Sequence, residues 1–171
     1  MSIKQGLFWV CVLIIGMEML YGFYWGLPNI AIRLGLLPDT ILREHHELIP
    51  TLSWFQELLF FSHMILNVMA FAAILYRWVA CIPLFALAFI LDRIDWVILT
   101  MNPVASVRNA NGEDWTAVMA QIGGFGLMGV LSLITLGLMA VLLNARVLHN
   151  SAPAGLEGLI RRSRPAPLLR N

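Results

Sequence analysis

The sequence predicts an all-α fold: a four-span transmembrane helix bundle with a short interfacial helix in the first outer connection. Three observations predict it. Of 171 residues, 60% are hydrophobic and only 12% are charged, about half the charged share of a soluble domain. The apolar residues fall into four runs, each near or above the roughly 20 residues that cross a bilayer core. The runs do not alternate as the segments of about ten residues in a membrane β-barrel would. This apolar content excludes a disordered chain, and runs of this length do not suit a small soluble core. The net charge of +1 gives no argument for nucleic acid.

The four spans are expected at about residues 7–27, 54–75, 79–99 and 115–143. They make up a transmembrane domain over 1–150, followed by a basic, proline-containing tail over 151–171. The first span follows a short polar start with Lys4. It is longer than the 7–15 apolar residues of a signal peptide and is expected to be retained. Cys11 and Cys81 lie inside apolar runs and read as small buried hydrophobes. The first outer connection, 28–53, holds a short helix that begins at Pro38-Asp39-Thr40, capped by Asp39 or Thr40, and ends at Leu48 before Pro50. Ile41, Leu42, His45 and Leu48 or Ile49 would share its face toward the membrane surface or the bundle mouth. Asp39–Arg43 and Arg43–Glu47 are i,i+4 pairs on the wet side.

Only Tyr76-Arg77-Trp78 separates spans two and three, which predicts a tight helical hairpin. The second outer connection carries the turn signals Asn102-Pro103 and Asn111-Gly112. Glu113 and Asp114 then favour the start of span four. Gly123, Gly124, Gly126, Gly129 and Gly137 read as packing glycines, and Ala120-x-x-x-Gly124 matches the small-xxx-small pattern. The tail reads as touching anionic lipid, or else as binding a partner.

An even number of spans puts both termini on one side. That side holds Lys4, Arg77, Arg146, Arg161, Arg162, Arg164 and Arg170, and the other holds Arg33, Arg43 and Arg108. The positive-inside rule then predicts cytoplasmic termini, in keeping with a bacterial inner-membrane protein.

Ionisable groups inside spans are costly and mark candidate sites. At 1.5 Å per residue, Glu18 and His63 fall near the same mid-depth, with Asp92 slightly outward. Asp95 and Glu57 fall near the outer boundary. Glu18, Tyr21 and Trp25 form one stripe. Gln56, His63 and Asn67 form a second. Asp92, Asp95, Trp96 and Leu99 form a third. Gln121 joins them from span four. The candidate catalytic residues are therefore Glu18, His63, Asp92 and Asp95. The candidate ligand-binding residues are Tyr21, Trp25, Gln56, Asn67, Trp96 and Gln121. Glu57 lies off its stripe and is expected to face the headgroups. Arg93 cannot share the direction of Asp92, so it is expected to snorkel outward or to pair with an acid on another helix.

No metal site is expected. No span carries the Glu-x-x-His pattern of a di-iron bundle, and His63 is alone at mid-membrane. No cofactor is indicated, and no phosphate loop or Gly-x-Ser-x-Gly elbow is present. Two functions of different class remain. One is an accessory or structural subunit of a larger membrane complex, with membrane lipids and other membrane proteins as partners. The other is an intramembrane enzyme binding a lipid- or isoprenoid-like ligand, with Glu18 as general acid, an aspartate stabilising positive charge and the aromatic rings facing it.

Overall fold

The structure, a computed structural model, describes residues 2–101 and 126–150. Every regular element among them is helical, apart from a single bridge between Trp78 and His149. Helix α1 spans Ile3–Arg33. Its first turn is capped by the Ser2 hydroxyl, which accepts from the Gln5 N–H at 3.3 Å. Sequence reasoning ended this helix at residue 27, before Pro28, but it runs on to Arg33 with Pro28 inside. Proline forfeits one backbone hydrogen bond, a loss that does not end this helix. The helix ends where Gly35 turns left-handed, at φ 67°. There the Leu36 N–H donates to the Ala31 carbonyl at 2.8 Å and the Gly35 N–H to that of Ile32 at 3.0 Å, the Schellman pattern.

Helix α2, Arg43–Leu48, is shorter than its expected start at Pro38-Asp39-Thr40. Those residues form a turn instead, closed by the Ile41 N–H on the Pro38 carbonyl at 3.0 Å. Leu42 at φ 53° then breaks the helical path, and no side chain caps α2. Asp39 lies 3.3 Å from His46 Nδ1 instead of capping. The expected Arg43–Glu47 pair forms at 2.9 Å. One 3-10 turn, Ile49–Thr51, leads into α3, Trp54–Leu75. A capping box opens α3: the Ser53 hydroxyl accepts from the Gln56 N–H, and Gln56 Oε1 accepts from the Ser53 N–H at 3.0 Å. Both ends of α3 match the expected span.

The hairpin between α3 and α4, Cys81–Thr100, is tight as expected. Arg77 takes the left-handed position at φ 55°, with the Trp78 N–H on the Ala73 carbonyl at 2.8 Å. The turn is also tied to the far end of the chain. The Val79 N–H donates to the His149 carbonyl at 2.9 Å, and the His149 N–H to the Arg77 carbonyl at 2.7 Å. Helix α5 is described from Gly126 to Asn144. Expected features at residues 102–125 and 151–171 lie outside the described residues. These include the second outer connection, the start of span four with Gln121 and Gly124, and the tail.

α1 packs on α3 and α5, and α4 packs on the same two, so the four long helices form a ring. Their buried positions recur at three- and four-residue steps, the spacing of a packing seam. In α1 the seam runs Phe8, Cys11, Ile15, then Gly22 and Asn29. At the end nearest the N-terminus, these residues meet Ala70, Ala73 and Ile74 of α3, Cys81 and Phe85 of α4, and Met139 and Leu142 of α5. α1 and α3 approach closely through two glycines. A Cβ at Gly22 would meet Met64 Cγ at 3.2 Å, and one at Gly26 would meet Met64 Sδ at 2.8 Å. Gly22-x-x-x-Gly26 is thus the small-residue interface of this bundle. Gly137, expected to serve packing, has open space around it.

By length and composition, α1 and α3 are long and apolar enough to cross a membrane. α4 has 20 residues, or about 30 Å of helix, but carries Asp92, Arg93 and Asp95.

Candidate functional site: a polar layer in the bundle

Further along each seam the residue type changes. In α1, Ile15 gives way to Glu18, and in α3, Ala70 gives way to Asn67 and His63. In α4, Ala88 is followed one turn later by Asp92 and two turns later by Asp95. In α5, Met139 gives way to Thr135 and Ser132. His63, Asn67, Ser132 and Thr135 are all buried. Helical periodicity alone brings these groups to one layer, because each occupies a seam position of its own helix.

The layer is held by contacts between helices. The Ser132 hydroxyl of α5 donates to the Glu18 carboxylate of α1. His63 Nε2 of α3 lies 3.9 Å from Asp92 Oδ1 of α4. Arg93 folds back onto its own neighbour, with Nε 3.0 Å from Asp92 Oδ2. This corrects the expectation that the two adjacent side chains diverge. The long Arg stem bends far enough around the helix to reach the preceding carboxylate. The charges of Asp92 and Arg93 act on both Glu18 and His63, so these four groups share one electrostatic neighbourhood. The Arg93 guanidinium also lies 5.9 Å from the Phe89 ring and 5.7 Å from the Trp96 ring. Thr135 bonds back to the Leu131 carbonyl of its own helix at 2.8 Å.

The layer thus brings Glu18, His63, Asn67 and Asp92 onto the inner seams, with Asp95 half-buried one turn beyond Asp92. Other candidates are engaged elsewhere. Gln56 serves the α3 cap. Trp25 stacks on His45, ring centroids 4.1 Å apart, which presses α2 onto α1. Tyr21 is half exposed at the edge of the α1 seam. Trp96 meets Arg93. Gln121 lies outside the described residues. Glu57, expected to face headgroups, pairs with Arg33, whose Nε is 2.9 Å from Oε1. Arg33 Nη2 also donates to the Ile49 carbonyl at 3.0 Å.

Sequence reasoning missed three participants. Ser132 carries no signal among small and apolar neighbours. The Ser53-x-x-Gln56 spacing was a readable capping box. Gly22-x-x-x-Gly26 was readable as a close-packing motif. Among the described residues no group of three or more His, Cys, Asp or Glu could hold a metal ion. A shallow, open depression lined by Asp39, Thr40, Arg43, His46, Glu47 and Pro50 lies beside α2 and away from the layer.

Comparison with protein-family models, with curated proteins and with solved structures finds no match.

Proposed function

We propose that this chain is a four-span integral membrane protein, suited to a bacterial inner membrane, with both termini in the cytoplasm. Its role is that of an accessory or structural subunit of a larger membrane complex. The observation that carries this reading is how the ionisable side chains at membrane depth are used. Glu18 is tied to Ser132, Asp92 to Arg93, and Glu57 to Arg33. Two of these ties join different long helices: Glu18–Ser132 links α1 to α5 within the layer, and Glu57–Arg33 links α3 to α1. Polar ties of this kind fix the register of helices that lipid alone would not distinguish. Membrane lipids and neighbouring membrane proteins are the partners.

A second reading has an observation of its own. Glu18, His63 and Asp92 stand in one layer, which is the constellation an intramembrane enzyme of lipid- or isoprenoid-like substrates would use for acid–base work. Glu18→Gln separates the two readings. Glutamine keeps the shape and still accepts from Ser132, but it cannot give up a proton as an acid does. The subunit reading expects the variant to assemble and co-purify with its partners as wild type does, with unchanged membrane lipid content. Intact assembly with a lost lipid product contradicts it and supports the enzyme.

A further inference from the structure

Two polar atoms of the layer have no hydrogen-bond partner among the described residues: His63 Nδ1 and Asn67 Oδ1. They belong to side chains one turn apart on α3. Both residues are nine-tenths or more buried, with His63 5% and Asn67 4% exposed. A buried polar group left unmatched is costly and asks for an explanation. His63 Nε2 lies 3.9 Å from Asp92 Oδ1; with the ring hydrogen on that side, toward the carboxylate, Nδ1 keeps a lone pair. The amide oxygen of Asn67 accepts only. The Asp92 carboxylate, on the Nε2 side of the His63 ring, also accepts. Arg93, the cation of the layer, is already turned onto Asp92. The layer therefore has acceptors to spare.

We infer that the face of α3 carrying His63 and Asn67 is a binding site for an O–H donor on an apolar body, that is, a lipid-soluble alcohol. The hydroxyl donates to the unmatched acceptors, and the Phe60 ring, edge-on to His63 at 5.0 Å, offers apolar contact to the body. The site rests on the second reading only in needing a ligand in this layer. It requires no catalysis and is equally compatible with a subunit that holds a lipid.

The test uses the full chain in lipid nanodiscs, with farnesol as probe and farnesyl methyl ether as its match lacking the O–H. Farnesol is expected to raise the apparent Tm and the ether is not. Asn67→Leu removes one unmatched acceptor at similar volume. It is expected to raise the Tm without ligand by roughly 2–4 °C and to remove most of the farnesol shift. Asn67→Asp keeps an acceptor and is expected to retain the shift. An equal shift with the ether means apolar partitioning only and overturns the inference. So does a lower Tm for Asn67→Leu, since the chain would then supply the partner itself. Glu18→Gln reports on catalysis separately: lost turnover with a retained farnesol shift bears on the enzyme reading and leaves this site standing.

Discussion

Replacing Gly26 by leucine tests the α1–α3 interface most sharply. A single added carbon at Gly26 would sit 2.8 Å from Met64 Sδ and 3.4 Å from Phe60 Cε1. For Gly26→Ala the clash falls on the far end of a flexible side chain, which can swing aside. Alanine also gains about 1 kcal/mol of helix propensity over glycine. Gly26→Ala is therefore expected to be close to neutral. Leucine adds three more carbons in the same place, and overpacking of this kind costs about 1–3 kcal/mol. At roughly 2–4 °C per kcal/mol for a chain of this size, Gly26→Leu should lower the apparent Tm by about 2–12 °C. Met64→Ala vacates the contested space. The double variant Gly26→Leu/Met64→Ala should therefore be more stable than the sum of the two single changes predicts, by about 1 kcal/mol or more. The assay is thermal unfolding in detergent, followed by circular dichroism and by size-exclusion recovery. A silent Gly26→Leu, or strictly additive single and double variants, would refute the close approach of α1 to Met64.

Arg146 lies at φ 56° after the end of α5, where its N–H donates to the Leu143 carbonyl at 3.0 Å. Arg146→Gly removes a left-handed strain of about 1–2 kcal/mol and should raise the apparent Tm by a few degrees; a fall would mean that the arginine side chain holds the turn. Arg33→Ala should do more harm than Glu57→Gln, because Arg33 also holds the Ile49 carbonyl while the ion pair itself is partly exposed, at 43% and 23%, and worth at most about 1 kcal/mol. Limited proteolysis of the 34–53 connection reads the difference, and equal cleavage of the two variants would assign the effect to the ion pair alone.

Much of the helical layout was legible because apolar runs and turn residues carry it. Residues 54–75 read directly as one helix, and Tyr76-Arg77-Trp78 as a tight turn. The end of α1 was misread because Pro28 looks like a terminator, whereas one lost hydrogen bond does not stop a helix whose neighbours hold it. The start of α2 was misread because the left-handed Leu42 has no composition cue. Stripe arithmetic placed Glu18, His63, Asn67 and Asp92 on inward faces. What it lacked was the identity of their partners. The Ser132 hydroxyl on α5 and the fold-back of Arg93 onto Asp92 depend on helix rotation and side-chain reach, and neither follows from spacing.

The account stands on four crossings with both termini in the cytoplasm and the 34–53 connection outside. Paired reporter fusions test it directly: alkaline phosphatase, active only outside the cytoplasm, and a fluorescent protein, bright only inside it, each placed after Gly35, after Arg77 and after Asn171. The expected pattern is phosphatase activity at Gly35 alone, with fluorescence at Arg77 and Asn171. Phosphatase activity at Asn171, or fluorescence at Gly35, would contradict the topology and with it the assignment of the polar layer to the interior of a four-span bundle.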